Sequence, residues 1–254
     1  MVNTWDITIP QFTGDETRKV YLYLPESYTY EPERHYPVLY MFDGHNVFFD
    51  SHATYGKSWG MKEYMDRTGT QLIIVAVECN HSPDFGRLKE YSPYPFSDPQ
   101  FGKITAKGDL TMDWLVNTLK PDIDRHYRTL SDREHTFIAG SSMGGLMSLY
   151  AVTAYNVVFS RCAALSPSVW VASGKISHTI AAKKYLPDTV VYLDYGSEEF
   201  TNHPNMQRQF LKTAEELFNQ HVYVDCRIIP GGTHCEASWE RQIPFFMNTL
   251  LYQY

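Results

Sequence analysis

Ser142 stands in Gly140-Ser141-Ser142-Met143-Gly144, a G-x-S-x-G pattern whose residue types could expose and activate one hydroxyl. A serine hydroxyl is a weak nucleophile until an adjacent base takes its proton, and that base in turn needs an acid to orient it. The chemistry would be acyl transfer through a covalent intermediate. The apolar run His135-Thr136-Phe137-Ile138-Ala139 precedes the pattern and reads as a strand, and Gly145-Leu146-Met147-Ser148-Leu149-Tyr150-Ala151-Val152 follows it and reads as a helix. On so sharp a strand-to-helix turn the serine is forced into a strained backbone, and glycines two residues either side remove the side chains that would clash. Ser141 lacks that flanking pair and is the weaker choice.

The order expected on a sheet carrying such an elbow is serine, then acid, then histidine. After the run ending at Asp194 comes Tyr195-Gly196-Ser197-Glu198-Glu199-Phe200, and after Val222 to Ile229 comes Gly231-Gly232-Thr233-His234. Glu199 is the preferred acid, with Glu198 and Asp194 competing. Among ten histidines, His45 follows the first buried strand, His203 follows the acid and His221 precedes a strand at the wrong end of the sheet. His234, after the last strand and opening the last helix, is the base candidate. The oxyanion formed on attack needs donors fixed in advance. The backbone N–H of Met143 is one, and that of His45, in Asp43-Gly44-His45-Asn46, is assigned as the other, because Gly44 lets that turn come close.

The elements that must position these groups follow from periodicity. Trp5 to Ile9 and Lys19 to Leu24 alternate and flank Thr13-Gly14-Asp15-Glu16, which predicts an N-terminal antiparallel hairpin. Continuous apolar runs follow at 37–42, 72–77, 136–139, 158–165, 190–193 and 222–229, as expected of strands buried on both faces of a parallel sheet. Helical stretches lie between them, around 60–67, 110–127, 144–155, 206–219 and 237–251. Alternation of this kind predicts a mostly parallel, doubly wound α/β sheet whose ligands sit beyond the strand C-termini. His81 to Gly108 is the one long irregular segment, a length that is usually functional.

At 254 residues and 43% hydrophobic content, the chain fits one domain spanning 1–254. A net charge of −7 and the lack of any basic run argue against nucleic acid. The N-terminus has neither a charged nor an apolar leader region, and no apolar stretch approaches eighteen residues, so a cytoplasmic protein without a membrane span is expected. Cys79, Cys162, Cys226 and Cys235 have no C-x-x-C spacing and read mostly as buried thiols. The histidines lack H-E-x-x-H spacing, and no cysteine–histidine cluster stands out, so neither a metal nor another cofactor is expected. Gly56-Lys57-Ser58 resembles the end of a P-loop, but Ser51 stands where its first glycine is required. Composition leaves a homo-oligomer open.

Taken together, these residues resemble the esterase family of α/β-hydrolases that groups enterochelin-type siderophore esterases, feruloyl and acetylxylan esterases of carbohydrate esterase family 1, and S-formylglutathione hydrolases. The resemblance runs from Lys19 to Leu251. It is carried by Tyr40-Met41-Phe42-Asp43-Gly44-His45-Asn46, Arg87-Leu88-Lys89-Glu90-Tyr91-Ser92-Pro93 and Leu119-Lys120-Pro121-Asp122-Ile123-Asp124. It continues through Gly140 to Gly145, Leu165-Ser166-Pro167-Ser168-Val169-Trp170 and His234-Cys235-Glu236-Ala237-Ser238-Trp239. It implies an α/β-hydrolase fold with no large lid domain and a serine carboxylesterase that needs no cofactor and acts on a small-molecule ester. In relatives the acid lies three residues after the glycine ending its strand, which here points to Glu199, although aspartate is common there in the feruloyl and formylglutathione branches. Trp59, Arg87, Glu90 and Trp170 are candidate pocket residues. Feruloyl- or acetyl-type esters, carbohydrate-linked ones included, are the leading substrates. A catecholate siderophore ester ranks second because Arg87 is the one obvious basic candidate, and a non-catalytic binding protein ranks last because all three roles are occupied.

Overall fold

The computed structural model describes residues 1–201 and 205–252. His203, weighed above as a rival histidine, lies outside them. In chain order the strands are β1 (Val2–Thr8), β2 (Thr17–Tyr23), β3 (Val38–Met41), β4 (Ile73–Val77), β5 (Phe96–Asp98), β6 (Gly102–Ile104), β7 (Thr136–Ser141), β8 (Arg161–Leu165), β9 (Val190–Gly196) and β10 (Tyr223–Ile229). Eight of them form one sheet in the order β1-β2-β4-β3-β7-β8-β9-β10, and β5 pairs with β6 separately. β1 and β2 make the expected hairpin, and β2 joins β4 antiparallel. Every pairing from β4 to β10 is parallel.

Alternate residues of a strand point to opposite faces, so a strand buried on both sides must be apolar throughout. Tyr40, Ile138, Ala164 and Leu193 pack into one core cluster, and Leu39, Met41, Phe137, Ala163 and Tyr192 into the other. Helices cover each face. The helix Met143–Ala154 is apolar nearly all round and accordingly buried along most of its length. The strand order reverses between β3 and β7, which are direct neighbours, so the loops leaving their C-termini diverge and open a crevice.

Four sequence expectations change. β10 is the edge strand and half exposed, with Tyr223, Cys226 and Ile228 facing solvent, because a strand with one neighbour leaves open the surface that a central strand buries. Cys79 and Cys162 are buried, whereas Cys226 on that edge is exposed and Cys235 partly so. The helix expected at 237–251 is two, Glu236–Glu240 and Ile243–Leu251, the second restarting with Pro244 in its first turn, where the missing N–H costs nothing. The segment 81–108 is partly regular: it holds the short helix Gly86–Glu90 and the β5–β6 ribbon. The helix Ser173–Ala182 was not anticipated at all.

Candidate functional site

At the end of β7 the chain turns abruptly into its helix, and Ser142 occupies the turn with φ 57° and ψ −120°. A side chain at positive φ is strained, so the surroundings must enforce it. They do so from three sides: the Ser142 amide donates to the Leu165 carbonyl at 2.9 Å, and Gly140 and Gly144 pack face to face. A Cβ on Gly140 would lie 2.7 Å from the Gly144 carbonyl carbon, and one on Gly144 would lie 3.0 Å from Phe42 Cβ. Ser141, by contrast, ends the strand in ordinary geometry. One consequence is measurable by chemical denaturation. Ser142→Gly relieves the strain and unfolds with roughly 1 kcal/mol more free energy than Ser142→Ala, which keeps it. Equal stabilities would mean that the turn is unstrained.

The imidazole of His234, on the loop beyond β10, meets the carboxylate of Glu199 beyond β9, with Nδ1 and Oε2 2.5 Å apart. Glu199 is 1% exposed, and its other oxygen accepts from the Ser166 hydroxyl at 2.7 Å and the Gly196 amide at 3.0 Å. The Trp239 indole donates to Ser166 at 3.0 Å, and its ring and that of His234 meet nearly perpendicular with centroids 5.1 Å apart. The carboxylate therefore has a fixed orientation before it reaches the imidazole. The competing acids have other partners. Glu198 is exposed and accepts from its neighbour Ser197. Asp194 is buried, accepts from Tyr192 Oη and the Ser166 amide, and is pushed up to about 7 by burial.

Ser142 and His234 line one cleft of about 490 Å³ at the sheet's switch point, a volume usual for small-molecule sites. The Ser142 hydroxyl contacts Ser168 Oγ at 3.4 Å and is not hydrogen-bonded to His234. Neither the Met143 amide nor the His45 amide has an acceptor among the described residues. Gly44 serves a different approach from the one expected: a Cβ there would sit 2.8 Å from the Ala76–Val77 backbone, so it seats the loop on β4 rather than on the elbow.

The four pocket candidates separate. Arg87 lines the cleft, but its Nε and Nη2 are held by the two oxygens of Asp43 at 2.7 and 2.8 Å. Burial works against the Asp43 charge, and Arg87 outweighs it, holding the carboxyl below its ordinary value. Glu90 is outside the cleft: it pairs with Arg18 at 2.8 Å, both side chains buried, and ties the 81–108 segment to β2. Burial pushes it up to about 7 despite that partner. Trp59 is 3% exposed and packs on Trp239 and Phe246 beneath the site. Trp170 packs edge-on against Phe96 and does not line the cleft. Sequence reasoning missed Ser166, Ser168 and Trp239, although all three stood in segments that had drawn attention for other residues.

A mostly parallel sheet whose switch point carries a positive-φ serine between strand and helix defines the α/β-hydrolase class. The chain belongs to the family described as Putative esterase, which it matches over residues 13–249, and it is a carboxylic ester hydrolase. It is 25% identical over 203 residues to the uncharacterized protein YbbA of Bacillus subtilis (strain 168), covering 79% of this chain and 76% of that one. In structure it is similar to an IroE-like serine hydrolase from Shewanella oneidensis, with a TM-score of 0.76 and 19% identity over 98% of this chain and 79% of that one. It is likewise similar to a ferulic acid esterase, with a TM-score of 0.71 and 19% identity over 98% and 96% of the two chains. Among the described residues no helix is long and apolar enough to cross a membrane.

Proposed function

We propose that the chain hydrolyses small, neutral aryl or acyl esters of the feruloyl or acetyl kind, with Ser142 as nucleophile, His234 as base and Glu199 as the acid orienting it. The observation that carries this reading is the 2.5 Å contact between Glu199 and His234 at the wall of the cleft that Ser142 also lines. Glu199 fixes the imidazole with its proton on Nδ1, leaving Nε2 free to accept. When an ester enters, the Ser142 hydroxyl leaves Ser168 for Nε2, since catalytic hydrogen bonds of free enzymes commonly tighten only on binding. Its oxygen attacks the carbonyl as His234 takes the proton, and the Met143 and His45 amides hold the negative oxygen. The tetrahedral adduct expels the alcohol, protonated by His234. Water then repeats the sequence on the acyl-enzyme and releases the acid and Ser142.

The charge of the cleft supports a neutral substrate. Among the described residues Arg87 is the one Lys or Arg lining it, and Asp43 already neutralises that charge. Tyr55, 82% exposed, and Phe85, 44% exposed, present ring surface at its mouth. An anionic ferric catecholate would find no free Lys or Arg there among the described residues. Purified protein assayed on methyl ferulate, acetylated xylo-oligosaccharide and a ferric catechol triester tests this. The neutral esters are expected to give kcat/KM at least about 10⁴ M⁻¹s⁻¹, within the ordinary range for enzymes, and the ferric ester at least about tenfold less. Preference for the ferric ester would make the protein a siderophore esterase instead, and no turnover of any would favour a binding role.

A further inference from the structure

No metal-ligand spacing is present along the chain, yet the fold gathers one histidine from the loop after β3 with a cysteine and a histidine from the loop after β4. One ring nitrogen each of His45 and His81 and the sulfur of Cys79 lie within 4.8 Å of one another. Cys79 Sγ and His81 Nδ1 are 4.0 Å apart, and the two imidazoles meet edge to face at 4.9 Å. The three residues line the cleft and take no part in the mechanism above, apart from the His45 amide.

The His45 side chain needs an explanation of its own. It is 6% exposed, its Nε2 is engaged by the Thr54 hydroxyl at 3.1 Å, and its Nδ1 is buried with no hydrogen-bond partner among the described residues. A buried polar atom left unpaired costs free energy unless something else satisfies it. A histidine with one nitrogen fixed by a hydroxyl and the other free is the arrangement in which an outer partner orients a metal ligand.

We propose that His45, Cys79 and His81 form a binding site for a borderline-soft divalent cation of the zinc type. Two imidazoles and a thiolate are a zinc donor set, and three protein ligands leave a fourth position open to water from the cleft. Around tetrahedral zinc, Zn–N and Zn–S bond lengths place neighbouring donors roughly 3.5 Å apart. Closing from the present spacing asks for movement of about an ångström, which the exposed His81 side chain supplies. On binding, the sulfur–metal bond forms as the Cys79 thiol releases its proton to solvent, so the site gains two charges and loses one proton. The inference rests on these three side chains and not on the ester reading, so either can fail alone.

Calorimetric titration of the metal-free protein with Zn²⁺ tests it, with Co²⁺ absorption as the second readout. One equivalent of Zn²⁺ is expected to bind, and His81→Ala and Cys79→Ser should each weaken it at least about tenfold. His234→Ala should leave it unchanged. Co²⁺ should give tetrahedral ligand-field bands and a thiolate charge-transfer band that Cys79→Ser removes. If Cys79→Ser does not fold, the exposed His81 variant and the Co²⁺ spectrum decide. No uptake, uptake unaffected by His81→Ala, a Co²⁺ complex without thiolate character, or loss of binding only in His234→Ala would each overturn the proposal.

Discussion

Ser142→Ala lowers kcat on an aryl ester by about 10⁴- to 10⁶-fold, the range expected when the nucleophile of a serine hydrolase is removed. KM moves little, because the methyl group fits the space of the hydroxymethyl and the cleft keeps its walls. The size of the loss follows from what remains. With Ser142 gone, the Met143 and His45 amides still polarise a bound carbonyl, and His234 still stands over a water, so a small residual rate over background persists. Folding is preserved, since the turn's backbone constraints come from Leu165, Gly140 and Gly144 and not from the hydroxyl. Initial rates of methyl ferulate hydrolysis by the two proteins, matched by circular dichroism, measure it. A rate within a few fold of the native one would remove Ser142 from the mechanism.

Glu199→Gln is the second large effect, and its cause is a proton in the wrong place. The Gly196 amide and the Ser166 hydroxyl both donate to one Glu199 oxygen, so a glutamine at 199 keeps its carbonyl oxygen there and turns its NH₂ toward His234. The imidazole must then accept at Nδ1 and carry its proton on Nε2, the nitrogen that should receive the Ser142 proton. A tautomer error of this kind costs about 10⁴-fold in kcat. Glu198→Gln, altering an exposed side chain whose partner is Ser197, leaves kcat within about twofold, as surface changes away from a site generally do. The ratio of the two variants, assayed side by side, is the informative number. A loss in Glu198→Gln alone would move the acid role from Glu199 to Glu198.

Much of this arrangement was legible in the chain because it depends on local chemistry. The G-x-S-x-G turn is written in the steric needs of five consecutive residues, and the elbow at Ser142 has the strained backbone that those needs dictate. Strand order leads to the loops that hold Glu199 and His234, since parallel strands deliver their following loops to one edge of the sheet, but the choice of Glu199 over Glu198 and Asp194 comes from the family resemblance. What stayed hidden depends on contacts between distant segments. Glu90 and Arg87 stand three residues apart on one short helix, yet one anchors the loop to Arg18 and the other faces Asp43 in the cleft. Nothing in periodicity distinguishes them. Trp59 has the composition of a ligand-stacking residue and is instead packed under Trp239. β10 was read from its apolar letters, but its edge position, fixed by the whole sheet, decides which of them face water. His45, Cys79 and His81 meet only because β3 and β4 are parallel neighbours, which spacing along the chain does not encode.

Covalent trapping tests the central claim most directly. The protein is incubated with a fluorophosphonate ester, whose phosphorus takes the place of the ester carbonyl carbon, then digested and mapped by mass spectrometry. One adduct per chain, on the peptide bearing Ser142, absent from Ser142→Ala and slowed by Glu199→Gln, is the predicted result. An adduct on any other residue, or one that persists in Ser142→Ala, would contradict the account.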